Sequence, residues 1–182
     1  GGTGLIGLRL LPRLLTRFPG SRITLLVRGE NDADVSYRIE RVIATVMNDH
    51  GMPDVAERID GVRGDVLHEN CGLTTPLLRK IIAQTTHIVH GAATIRFDHP
   101  LDEARLINCG GTRRMLTLAQ ECCDKGHLER FLYIGTSSVS GMREGTIYER
   151  ELEAGQRFFN TYEESKCEAE RIVRNHSSRI PT

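Results

Sequence analysis

Tyr162 and Lys166 are the residues whose types and spacing point most directly to chemistry. At i and i+4 on a helix they share one face, which brings an ammonium to the side of a phenol. A free phenol, with a pKa of about 10, is a poor acid–base catalyst at neutral pH, and a close cation lowers that value. With four tyrosines and three lysines in 182 residues, such a pair is expected by chance about 0.07 times, so the spacing is informative. Thr136 sits in Gly135-Thr136-Ser137-Ser138, just after an apolar run, and such a strand delivers a hydroxyl to the ligand-binding end of a parallel sheet. Ser137 and Ser138 compete for that role, and turn chemistry explains any one of the three equally well.

Gly1, Gly4 and Gly7 recur at every third position and open a helical stretch. That spacing suits a tight turn, a close backbone approach to a pyrophosphate, and close helix–strand packing. Arg28 ends the run ITLLV, where a dinucleotide fold contacts the adenosine ribose. An acid there would favour NAD, whereas an arginine accommodates a 2′-phosphate, and Glu30 lies two residues on. NADP(H) is the expected cofactor. Asp65, in Gly64-Asp65-Val66, accepts from an adenine amino group or caps a turn.

The elements that must position these residues alternate. Short apolar strands are expected at residues 23–27, around Val62, at 87–90 and at 130–134. Helices are expected at residues 8–18, where Pro12 should introduce a kink, and at 35–46, ended by Gly51 and Pro53. Further helices are expected at 75–84, with Thr75 as cap, at 101–124, interrupted by Gly110-Gly111 and capped by Gly126, and at 162–174. Residues 141–157 read as a loop. Strands alternating with helices define an α/β, doubly wound parallel sheet. The glycine loop has no strand before it, and residues 179–182 resemble the start of another strand. Residues 1–182 are therefore read as one NADP-binding domain, incomplete at both ends, whose sheet lacks its central strand and should be poorly stable alone.

Composition narrows the classes. Lys plus Arg and Asp plus Glu are 24 each, so no net field recruits nucleic acid or an anionic membrane. No stretch reaches the roughly 18–20 apolar residues of a membrane span. Five cysteines without a CxxC pair suggest reduced, packed thiols in a cytoplasmic protein. Seven scattered histidines without HExxH argue against a metal.

The segments GGTGLIG, LVR, GDV, HGAATIRFDHPLDEARLINCGGTRRMLTLA, RFLYIGTSSVSG and NTYEESKCEAERIV occur in the order of the extended short-chain dehydrogenases/reductases. Within them the chain most resembles the fatty-acyl-CoA reductase and thioester reductase (male-sterility-like) branch, through AATIRFDHPLDEARLIN and the helical insertion at 35–47. The resemblance implies a Rossmann fold and a pyrophosphate wrapped by Gly1, Thr3, Gly4, Leu5, Ile6 and Gly7. It places Arg28 on the 2′-phosphate, Asp65 and Val66 on the adenine, and Ala92, Ala93 and Thr94 at the nicotinamide ribose. Asn108 is structural behind the site, and Thr136, Tyr162 and Lys166 are catalytic, Tyr162 and Lys166 also touching the cofactor. Gly135 departs from the more usual serine, Pro12 interrupts the first helix, and the substrate-binding half is missing. The implied reaction is NADPH-dependent reduction of an acyl thioester, on coenzyme A or a carrier protein, to an aldehyde or alcohol. The alternatives are a nucleotide-sugar epimerase or dehydratase, a hydroxysteroid-type dehydrogenase, and a dinucleotide-binding fragment without catalysis.

Overall fold

The computed structural model describes residues 1–182, which divide into two units, Gly1–Asp65 and Val66–Thr182. In the first, Leu11 and Leu15 lie on the buried stripe of helix α1 (Leu5–Arg17). Pro12 shares that buried surface, and the helix continues through it as one 13-residue span. Thr16 Oγ1 donates to Pro12 O at 2.8 Å within the same helix. Strand β1 (Ile23–Val27) pairs in parallel with β2 (Ile59–Arg63), Ile23 opposite Ile59 and Val27 opposite Arg63. Parallel strands need a crossover, supplied by α2 (Asp32–His50) and the short α3 (Val55–Arg58). Asn31 caps α2 by accepting from Asp34 N at 2.9 Å. Val35, Val42 and Val46 of α2 close the core over Leu25, Val27 and Ile59. Arg58 pins the end of α1, donating to the carbonyls of Leu15, Phe18 and Ser21 at 2.9, 2.8 and 3.2 Å.

The second unit begins with a 3-10 turn (Glu69–Gly72), α4 (Thr75–Gln84) and β3 (His87–His90). The cap of α4 is Thr74, one residue before the expected Thr75. Then come α5 (Leu101–Arg105), a π turn (Leu106–Gly110) and α6 (Gly111–Lys125). Gly110 and Gly111 do not interrupt this helix, because both keep right-handed helical dihedrals. What widens is the turn before them. Gly126 is the C-cap of α6, as expected, though with φ −134 it is not left-handed. Its glycine is needed for close approach, since a Cβ there would stand 2.1 Å from Ile82 O. Strand β4 (Arg130–Tyr133) pairs in parallel with β3, His87 opposite Arg130 and His90 opposite Tyr133. A 3-10 turn (Ser137–Ser140) follows, and α7 (Thr161–His176) is capped by Asn160. At the end of the chain Ile180 is buried and Phe131 N donates to Pro181 O at 2.6 Å. Residues 180–181 thus run alongside β4. No helix is long and apolar enough to cross a membrane.

Candidate active site

In Gly1–Asp65 the glycine loop works through its backbone. Gly4 N donates to Gly1 O at 3.1 Å, and Gly4 is the N-cap of α1. A Cβ on Gly7 would stand 2.3 Å from Gly2 O and 2.6 Å from Gly1 O, a space only glycine fits. The first turn of α1 carries no acidic side chain, so the N–H groups of Leu5, Ile6 and Gly7 present a positive helix end. Thr3, Leu5 and Ile6 are exposed there. This cradle fits a pyrophosphate. Arg28, exposed and in no ion pair, follows β1, and half-buried Asp65 follows β2, at the ends of two adjacent parallel strands.

In Val66–Thr182, where Val66 is half-buried, Asn108 organises the other candidates. It is 1% exposed and sits on the π turn, a widening that recurs at functional sites. Its Oδ1 accepts from Thr94 N at 2.9 Å, and its Nδ2 donates to Thr94 O at 3.3 Å and Ser165 Oγ at 2.9 Å. Ser165 Oγ donates in turn to Tyr162 O at 3.0 Å. One carboxamide therefore fixes the loop Ala92-Ala93-Thr94 after β3 and the turn of α7 that bears Tyr162 and Lys166. Arg105 adds a second tie to α7, at 2.6 Å from Glu168 and 3.1 Å from Glu164.

Lys166 is 4% exposed, and its Nζ donates to Ile134 O at 2.8 Å. Thr136 lies two residues beyond that carbonyl. Its Oγ1 accepts from Ser138 N at 3.3 Å, which leaves the hydroxyl proton free for a ligand oxygen. Tyr162 is half-buried, with its ring 5.6 Å from that of Phe97. A Cβ on Gly135 would meet the mobile end of the Glu170 side chain, Oε2, at 3.1 Å. An open cavity of about 480 Å3 lies elsewhere in this unit, lined by residues such as Arg143, Glu151, Arg171 and Arg174, and the catalytic candidates do not line it.

Burial sets the electrostatics. It pulls the Lys166 ammonium down to about 8, against the opposing pull of Glu170 and Cys109. The same cause pushes the Cys109 thiol up to about 11 and raises the Tyr133 phenol. His90 is 2% exposed, and burial, aided by the Lys166 charge, takes its imidazole down to about 3. Thr112 Oγ1 donates its one proton to Asn108 O at 2.6 Å, so it accepts from His90 Nε2 at 3.1 Å. That assigns a neutral Nε2–H tautomer. His90, Thr112, Ser165 and Tyr133 were not singled out from the sequence. Alternation in the strand HIVH was the available signal for His90, since His87 faces out and His90 faces in.

The comparisons place this arrangement in a class. The terminal R domain from the myxalamid PKS-NRPS biosynthetic pathway superposes with a TM-score of 0.83 at 30% identity, covering 98% of this chain and 44% of that one. A nonribosomal peptide synthetase reductase (R) domain from Mycobacterium tuberculosis gives 0.74 at 25% identity, covering 100% and 44%. The chain has an α/β Rossmann-like, NAD(P)-binding fold. The family model described as male sterility protein matches residues 1–182, and the chain belongs to that family. Fatty acyl-CoA reductase 1 of Gallus gallus is 30% identical over 141 residues, 75% of this chain and 27% of its own length. The fatty acyl-CoA reductase wat of Drosophila melanogaster is 26% identical over 210 residues, 100% and 40%. The chain thus spans about a third of the length of the curated relatives it matches.

Proposed function

We propose that the chain is the dinucleotide-binding part of an NADPH-dependent reductase acting on acyl thioesters, carried on coenzyme A or on a carrier protein. The observation that carries the reading is the Asn108 clamp, which holds the Thr94 loop and the Tyr162–Lys166 turn to one another inside a buried network. We read both units as parts of one dinucleotide-binding domain. The glycine cradle and α1 would hold the pyrophosphate, Arg28 the 2′-phosphate, Asp65 and Val66 the adenine, and Ala92, Ala93 and Thr94 the nicotinamide ribose. Bound NADPH supplies the hydride. Thr136 would donate a hydrogen bond to the thioester carbonyl oxygen, and Tyr162 would transfer its proton to that oxygen as it gains charge. Lys166 supplies the positive charge that steadies the phenolate left on Tyr162. The related reductases support the substrate class, and five cysteines without a disulfide fit a reducing, cytoplasmic setting.

The test is NADPH oxidation by the intact protein with acyl-CoA and carrier-bound acyl thioesters. Tyr162→Phe should lower turnover by about 100-fold or more with NADPH binding retained. Turnover equal to the wild type would remove the role of Tyr162. Nicotinamide fluorescence should show a preference for NADPH that Arg28→Ala abolishes. A preference for NADH would move the protein to the epimerase or dehydratase class.

A further inference from the structure

Lys166 presents an unusual problem of accommodation. A buried ammonium without a carboxylate is costly, and no carboxylate forms an ion pair with this one. Glu170, one turn further on, is engaged by Arg174 at 2.6 Å. Only one of the three N–H bonds has a protein acceptor, the carbonyl of Ile134. The residue before that carbonyl, Tyr133, turns its ring toward the same ammonium, with Nζ 4.2 Å from the ring centroid. Two consecutive residues at the end of β4 therefore cradle one cation, the first with a π face and the second with a carbonyl. The Tyr133 hydroxyl is buried and has no hydrogen-bond partner, so the ring and not the hydroxyl is what this position uses. His90 packs its ring 5.8 Å from that of Tyr133.

We propose that Tyr133 is a positioning residue for Lys166, the face of its ring holding the buried ammonium charged and in place beside Ile134 O. The inference rests on the reductase reading for its consequence in catalysis, but the contact itself is testable without turnover. The titratable groups around the ammonium are Glu170 and Tyr162 on α7, Cys109 on the π turn, His90 on β3 and Tyr133 on β4. His90 is neutral and Tyr133 stays protonated, so neither adds a charge of its own.

The chain has three lysines, Lys80, Lys125 and Lys166, and lysine labelled with carbon-13 at the ε position gives three resolvable signals. In the wild type the Lys166 ε-methylene protons should lie upfield of the other two, from the ring current of Tyr133, and titrate near 8. Tyr133→Phe should keep both properties. Tyr133→Leu should lose the upfield displacement, and its midpoint should fall by about one pH unit. A Lys166 signal without displacement in the wild type overturns the proposal. So does a Tyr133→Leu chain that titrates like the wild type, or a Tyr133→Phe chain that titrates like Tyr133→Leu. If Tyr133→Leu does not fold, the wild-type displacement and its retention in Tyr133→Phe still decide. In the intact enzyme the alkaline limb of kcat should move to lower pH in Tyr133→Leu and stay in place in Tyr133→Phe. Absence of any thioester turnover counts against the reductase reading and leaves the three signals to test the contact.

Discussion

Gly1–Asp65 and Val66–Thr182 are both built on a parallel strand pair flanked by helices, yet they hold their polar groups differently. Every buried polar or charged side chain, namely His90, Asn108, Thr112, Ser165 and Lys166, lies in the second unit. The first has an all-apolar core and offers its functional candidates on the surface, as backbone N–H groups, an exposed arginine and a half-buried aspartate. Backbone shape suits the binding of phosphates, because a helix end and a glycine turn give positive potential without any side-chain charge to desolvate. In the second unit burial instead moves the Lys166 ammonium and the His90 imidazole below their ordinary titration ranges.

The contrast breaks most readily at Asn108. Replacement by alanine would leave the part-buried Thr94 N–H and C=O without their partner, while Ser165 Oγ would keep only Tyr162 O. Each orphaned group costs about 1–3 kcal/mol, and a cavity adds to that. Urea unfolding of Asn108→Ala should therefore show a loss of about 4 kcal/mol. A loss below about 1 kcal/mol, within the range of ordinary surface substitutions, would mean the clamp is not the organiser described above.

Gly7→Ala sharpens the other side of the comparison. Its Cβ would meet backbone oxygens at 2.3 and 2.6 Å, which the loop relieves only by moving. Overpacking of this kind costs about 1–3 kcal/mol, and the displaced N–H groups should no longer retain NADPH in a fluorescence titration. Unchanged NADPH affinity would show that the cradle is not the pyrophosphate site.

The sequence made these two regions unequally legible. A glycine at every third position and YxxxK are local signals, so the loop, the α7 pair and the strand positions were readable. The extents of β1 and β3, residues 23–27 and 87–90, match the expectation residue for residue, whereas α4 begins one residue earlier than its expected cap implies. The His90–Thr112–Asn108–Ser165 chain joins β3, α6, the π turn and α7, and its partners lie up to 57 positions apart, so no window of sequence contains them. Gly110-Gly111 misled for a related reason. Glycine weakens a helix in isolation, but a Cβ at Gly111 would meet Val66 Cγ2 at 2.9 Å, so the glycine serves packing and the helix persists. Gly126 does cap its helix as expected, but it is needed because a Cβ would meet the α4 carbonyl of Ile82 and the α6 carbonyl of Cys122, and not for a left-handed turn.

The finest distinction between the units is their response to acid, and it rests on His90. Its native pKa is depressed to about 3 while an unfolded histidine titrates near 6.5, so the unfolded chain binds the extra proton in between. Stability from this group is complete above about pH 6.5 and falls as the pH is lowered toward 3. At pH 4.5 the deficit is about 2–3 kcal/mol, at about 1.4 kcal/mol per unit. Glu168, held below the ordinary carboxylate range chiefly by its hydrogen bonds to Arg105, contributes only at lower pH, so of these two groups it is His90 whose shift spans the window from 6.5 to 4.5. His90→Gln can still donate to Thr112 and does not titrate there. Its unfolding free energy should stay nearly level across that window while the wild type declines. Parallel declines in the two proteins would show that the acid sensitivity arises elsewhere, and the buried network would then not be what sets the second unit apart.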